Sequence, residues 1–143
     1  MTGAVVVRAG TAADAGTLAA LFRQLGHPVT GEDVRAQLAG MTPDRDRVLV
    51  AERAGVALGA VVVSSTPFPH EGHARARITA LVVDEGERGS GVGAVLLRAA
   101  ERVGRELGCA VLELTTGAER SGAHRFYERE GYTSHSVRYH RPL

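Results

Sequence analysis

Lysine, asparagine and tryptophan are missing from the chain, cysteine occurs once, and no apolar run is long enough to span a bilayer. The missing lysine removes any phosphate loop that ends in Gly-Lys-Ser/Thr. A single cysteine, Cys109, rules out an internal disulfide and agrees with a reducing cytoplasm. Its apolar setting, Cys109-Ala110-Val111-Leu112, reads as a buried structural thiol rather than a nucleophile. The N-terminus has no basic region followed by a long apolar stretch, so no secretion signal is expected. An excess of one charge is missing too: 17 cations, all arginine, face 16 acids for a net charge of +1. No strong field therefore draws the protein to nucleic acid or to an anionic membrane. What is present, 143 residues that are 44% apolar and 23% charged, is the composition of one soluble domain over residues 1–143.

The hydrophobic pattern orders the elements. Residues 4–7 read as a first strand. Thr11 with Asp14, and Thr30 with Asp33, are spaced as capping boxes, so each starts a helix. Leu18, Leu21, Phe22 and Leu25 give the first helix its apolar face, and Gly26-His27-Pro28 stops it; Val34 and Leu38 serve the second. Two strand-like runs, 48–52 and 56–64, flank Arg53-Ala54-Gly55, which suits a tight hairpin. The prolines and glycine of residues 66–73 predict a loop, and 77–83 a fourth strand.

From residue 91 to 107 the period changes. Val92, Val95, Leu96, Ala99, Val103 and Leu107 form a helical stripe, with Glu101–Arg105 and Arg102–Glu106 at i,i+4 spacing on the opposite face. Gly108 ends that helix. A fifth strand at 110–114, a short helix at 121–130 closed by Gly131, and a last strand at 133–140 complete the order β-α-α-β-β-β-α-β-α-β. The expected class is mixed α/β, hairpin-like in the middle and βαβ-like at the end.

The segment Arg88-Gly89-Ser90-Gly91-Val92-Gly93 lies between a strand and the start of a long helix. A helix start offers unpaired N–H groups and the positive end of the dipole, and glycines let that backbone approach an anion closely. Taken alone, the glycines serve a tight turn with close helix packing as well as they serve a pyrophosphate. Their spacing is G-x-G-x-G, not the G-x-G-x-x-G of a dinucleotide fold, and too little chain follows for such a sheet.

Preceded by Leu81-Val82-Val83, this loop resembles the R-x-x-G-x-G coenzyme A motif of the GNAT superfamily of N-acetyltransferases. Residues Ala123-His124-Arg125-Phe126-Tyr127-Glu128-Arg129-Glu130-Gly131-Tyr132 resemble that family's second signature, A-x-x-F-Y-x-x-x-G-F/Y. The opening Val7-Arg8-Ala9-Gly10-Thr11-Ala12-Ala13-Asp14 resembles its usual first strand and helix start. The resemblance implies a central mixed, mostly antiparallel twisted sheet flanked by helices and splayed between strands 4 and 5. It implies that backbone groups of Leu81, Val82 and Val83 pair with the pantetheine arm of acetyl-coenzyme A. It further implies that Arg88 lies at the rim, that N–H groups of Gly89, Ser90, Gly91, Val92, Gly93 and Ala94 hold the pyrophosphate, and that Tyr127 lies near the sulfur. A phenol of ordinary pKa ~10 can return a proton to a thiolate of similar basicity.

The chain departs from the family pattern twice. No asparagine precedes the last helix, where Glu119, Arg120 and Ser121 stand, and Arg75 and Arg77 occupy the neighbourhood of a family glutamate that acts as base. Ser121 reads as a helix cap. Glu113, His73 and Glu71 are the remaining candidate bases, and His70 with His73 lacks a third metal ligand, so no metal is expected. The acceptor amine belongs to a small molecule or a protein, and Phe22, Gln24 and His27 announce no charge for it. His135, Val137 and Tyr139 alternate on the last strand, which fits core packing or a homodimer contact. A catalytically inactive coenzyme-binding sensor is the competing function.

Overall fold

The computed structural model describes residues 3–116 and 121–143. Strand β1 (Val6–Ala9) is followed by one 3-10 turn and two helices, α1 (Ala15–Gln24) and α2 (Gly31–Ala39). Strands β2 (Asp46–Arg53), β3 (Val56–Phe68) and β4 (His73–Val83) come next, then α3 (Val92–Glu106), β5 (Cys109–Leu114) and α4 (Ser121–Arg129). The five strands pair in chain order, antiparallel from β1 to β4 and parallel between β4 and β5. The result is the expected mixed α/β class.

The local signals explain most boundaries. Thr30 and Asp33 exchange bonds as a full capping box, with Thr30 Oγ1 accepting from the Asp33 N–H at 3.1 Å and Asp33 Oδ2 from the Thr30 N–H at 2.9 Å. Thr11 and Asp14 form the same box one 3-10 turn ahead of α1. Ala54 and Gly55 both take positive φ, 50° and 80°, the backbone of the two-residue turn whose twist suits a hairpin. Helix α4 ends in a Schellman motif at Gly131: Tyr132 N–H reaches the Tyr127 carbonyl and Gly131 N–H that of Glu128.

Three expectations are corrected. Residues 66–73 are not all loop, because β3 continues through Pro67 to Phe68, paired Pro67 with Ala74. The β2 ladder ends at Asp46 with Ser64, so β3 is an edge at Pro67 and its missing N–H costs no bond there. Residues 133–140 form no strand: Ser136 breaks the extended run at φ 30°, and Val137 and Tyr139 stay 77% and 90% exposed. With nothing buried and no ladder partner among the described residues, alternation alone does not make a strand. The pairs Glu101–Arg105 and Arg102–Glu106 also give way. Glu101 instead meets Arg98 at 2.5 Å and the Tyr132 hydroxyl at 2.8 Å, while Glu106 meets Arg47 at 3.1 Å.

Two cores lie on opposite faces of the sheet. Leu96, Leu97, Ala100 and Val103 of α3 pack on Val61, Val63, Ala76 and Ile78; of the expected stripe Val92, Leu96, Ala99 and Val103 are buried and Leu107 packs on this core, while Val95 is exposed. Leu18, Ala19 and Leu21 of α1 with Val34 of α2 cover Val48, Val50, Ala60 and Val82. Gly59 leaves no room for a side chain between β4 and α3, since a Cβ there would meet the Val82 carbonyl at 2.5 Å and Leu96 at 3.1 Å.

Candidate active site

Strand β4 changes face at Thr79. The register passes from Val63–Ile78 to Val62–Ala80, so Thr79 is an extra, bulged residue, and it is exposed. Before it, Ala76 and Ile78 join the α3 core; after it, Val82 joins the α1 core and Leu81 and Val83 turn to α3. A bulge bends a strand and raises its twist. Pairing with β5 ends one residue earlier, at Ile78 with Leu114. Residues 79–83 therefore keep β3 on one side and have no ladder partner on the other among the described residues. Half of their backbone N–H and C=O groups face that gap.

Past the strand, the chain is fastened before the glycine loop begins. Gln24 of α1 donates to Asp84 Oδ1 at 2.9 Å and accepts from the Glu85 N–H at 2.9 Å. Arg53, from the β2–β3 hairpin, pairs with Glu87 at 2.9 Å. Arg88 follows, extended and exposed, with no ion pair among the described residues.

The three glycines have different tasks. Gly89 and Gly91 have φ of 82° and 92°, and a Cβ on either would meet nothing within 4 Å. They are required by conformation, not by crowding. Gly93 is the reverse case: its Cβ would sit 3.4 Å from Phe126 and 3.6 Å from Val83, so it lets α4 and β4 close on the start of α3. No side chain caps that helix start, whose first turn holds Val92, Gly93 and Ala94. Ser90 differs from its neighbours, because its N–H and its hydroxyl both bond to the Glu87 carbonyl. An uncapped helix start behind two left-handed glycines can bind an anion such as a pyrophosphate.

Helix α4 brings Phe126 to this place, with Tyr127 beside it. The two rings meet edge to face at 5.1 Å, and Tyr127 meets Tyr132 at 6.1 Å, all packed against the α3 core. Arg98 of α3 reaches both Glu101 and Glu130, at 2.5 and 2.6 Å, and so ties the end of α4 to α3. Burial and the neighbouring Glu101 raise the Tyr132 hydroxyl well above an ordinary phenol, so it stays protonated and donates to that carboxylate. Glu119 and Arg120, and the side chain of Ser121, lie outside the described residues.

The candidate bases are not gathered at the gap. Glu71 is gripped by both nitrogens of Arg75, at 2.7 and 2.8 Å, which holds its carboxyl below the usual range. His73 stands at the start of β4, 3.7 Å from Glu71 and about 26 Å of strand from Leu81. Glu113 pairs across the strands with Arg77, immediately before β4 and β5 part. Cys109 is half-buried and burial pushes its thiol up, which agrees with a structural role. Among the described residues no three metal-ligating side chains converge, and no helix is long and apolar enough to cross a membrane. A separate concavity between β1, α2 and β2, lined by Leu38, Met41 and Val48, contains none of these residues.

The bulge was not foreseen in the sequence, and only the doubled alternation around Thr79 hints at it. A mixed sheet open beyond Ile78 and Leu114, with a glycine-formed helix start beside the opening, is the GNAT fold. The family model for the acetyltransferase (GNAT) family matches residues 17–132, and the chain belongs to that family. Over 94 residues it is 35% identical to the aminoalkylphosphonate N-acetyltransferase of Salmonella typhimurium, a match covering 66% of this chain and 61% of that one. The chain thus aligns with about three fifths of that curated relative. A solved transcriptional regulator from Bacillus halodurans is similar at 26% identity and TM-score 0.82, covering 96% of this chain and 99% of that one. A GNAT family acetyltransferase from Staphylococcus aureus has the same fold at 23% identity and TM-score 0.80, covering 99% and 100%.

Proposed function

We propose that the protein is a single-domain N-acetyltransferase that moves the acetyl group of acetyl-coenzyme A to a primary amine within one ternary complex. The observation that carries this reading is the uncapped start of α3 behind Gly89 and Gly91, set beside the unpaired residues 79–83 of β4. The first suits the pyrophosphate and the second a pantetheine arm, whose amides can complete the strand's backbone bonds. N–H groups of Gly89, Gly91, Val92, Gly93 and Ala94 would hold the phosphates, with Arg88 at the rim. Ser90 would join them only by giving up its bond to Glu87.

Acetyl-coenzyme A supplies an activated thioester. Among Leu81, Val82 and Val83, the backbone donors that alternate into the gap would bind its carbonyl oxygen more tightly as charge builds there. The amine nitrogen forms the new C–N bond, the C–S bond breaks, Tyr127 protonates the leaving thiolate, and the nitrogen's proton passes to water. With Glu71 held by Arg75, water takes the base's place. The matched Salmonella relative acts on aminoalkylphosphonates, which puts small amines first among the acceptors to try. We take the enzyme to work in the cytoplasm. A homodimer formed through the exposed Val137 and Tyr139 belongs to the same proposal, and light scattering measures it.

Calorimetric titration with acetyl-coenzyme A, ATP and NAD, followed by free-thiol release over an amine panel, tests the function. Binding of acetyl-coenzyme A with thiol release is expected. Binding of ATP or NAD in its place sinks the reading. Coenzyme binding without release on any amine would make the protein a sensor.

A further inference from the structure

Beside the gap, one pair of charged side chains has bonding capacity in reserve. Arg75 and Arg77 alternate with the buried Ala76 and Ile78, so both point to the sheet face that carries α1 and α2. Arg75 is fully engaged: its fork lies on the Glu71 carboxylate, and its guanidinium stands 5.2 Å over the Phe68 ring. Arg77 is not. Its guanidinium makes no hydrogen bond among the described residues, comes only within 3.7 Å of Glu113, and its side chain is 37% exposed. Glu113 is equally loose, at 3.7 Å from Arg77 and 3.8 Å from Arg75. An arginine placed this way offers two parallel donors to a planar or tetrahedral anion.

Position matters as much as charge. Arg77 and Glu113 face each other one pair before the strands separate at Ile78 and Leu114. From Arg77 to Leu81 is four residues, about 13 Å of strand, within reach of a short molecule and a long side chain together. Resting on the acetyltransferase reading above, we infer that Arg77 and Glu113 form the acceptor subsite and that the acceptor is a short aminoalkyl acid. Its carboxylate, phosphonate or phosphate takes the Arg77 fork; its ammonium is attracted by Glu113 on entry, then points along the gap towards Leu81, gives a proton to water and attacks the thioester carbonyl. Splitting this loose pair gives each charge a hydrogen-bonded partner that it lacks without the acceptor. An uncharged amine satisfies neither end.

Free-thiol release with β-alanine, 2-aminoethylphosphonate and propylamine measures the selectivity. Wild type is expected to favour the two acids over propylamine by about 10- to 100-fold in kcat/KM, the range of a charge-assisted bidentate contact. Arg77→Gln should erase that ratio through KM, Arg77→Lys should keep part of it, and Arg102→Gln, on the exposed face of α3, should leave it alone. The balance between β-alanine and the phosphonate tells which acid the fork prefers. No preference in wild type, or an unchanged ratio in Arg77→Gln, overturns the subsite. Titrating 2-aminoethylphosphonate into protein, with and without coenzyme A, gives a readout free of turnover: tight binding weakened tenfold or more by Arg77→Gln supports the inference, and absence of binding refutes it. Failure of acetyl-coenzyme A itself to bind would sink the acetyltransferase reading, and the coenzyme-free titration would still decide Arg77.

Discussion

The two halves of β4 do their work by different means. Beyond the bulge at Thr79, the strand and the loop after it present backbone: unpaired strand groups, left-handed glycines and an uncapped helix start. Before the bulge, the same strand presents side chains, with Arg75 and Arg77 set among Phe68, Glu71 and Glu113. Backbone recognition suits a constant ligand, since N–H groups and a dipole bind any phosphate alike. Side-chain recognition suits a variable one, because each substitution changes charge and reach. A fold that keeps one donor and takes many acceptors can be expected to divide its strand in this way.

Gly91→Asp should break the backbone half with the largest effect. It puts a carboxylate where the pyrophosphate belongs, and acetyl-coenzyme A affinity is expected to fall by about 100-fold or more by calorimetry. Gly91→Ala, whose Cβ meets no neighbour but must hold φ 92°, should lose far less. Equal affinity in wild type and Gly91→Asp would end the loop assignment. Next in size, Tyr127→Phe should lower kcat by about 100-fold while coenzyme affinity holds; unchanged turnover removes the acid role.

A smaller change tests whether the halves are separable. In Gly59→Ala the new methyl meets the Val82 carbonyl, and overpacking should cost about 2 kcal/mol in urea unfolding. Its damage should fall on coenzyme affinity first, because Val82 and Val83 lie in the backbone half, and leave the ratio of acidic to neutral amines in place. A parallel loss of both would show one unit instead of two. The smallest effect lies away from both. Asp14, bonded to Arg8 and to the Thr11 N–H, is held at about 2 against an ordinary 3.8. A depressed carboxylate stabilises fully above its unfolded value and loses that contribution as pH falls from about 4 towards 2. Asp14→Asn should therefore cost about 1 kcal/mol at pH 7, screening by solvent included, and almost nothing at about pH 1, below both values. Urea midpoints at the two pH values check this, and a gap that persists in acid would mean that shape, not charge, is at work.

Much of the backbone half was legible in the chain. The glycine spacing, the capping boxes, Gly131 and the Ala54-Gly55 turn are local, and each acts through the conformation of its own few residues. The family resemblance drew on the same local motifs. The arginine half was not legible, because alternation in residues 73–78 says which side chains share a face but not what stands across from them. Pairing with β5 brought Glu113 to Arg77, and the extension of β3 through Pro67 brought Phe68 under Arg75. The expected last strand failed for a related reason: His135, Val137 and Tyr139 alternate correctly but pair with no strand among the described residues.

By itself the sequence determined where helices start and stop, where the hairpin turns, and that a long helix would start behind two glycines. Those are consequences of dihedral preference and of hydrogen bonds within a few residues. Tertiary structure alone decided that β4 leaves β5 after Ile78, that Gly93 admits Phe126 while Gly89 and Gly91 crowd nothing, and that Glu71 is spent on Arg75 while Arg77 is not. Register and packing join residues far apart in the chain, and those distances are set by the fold as a whole.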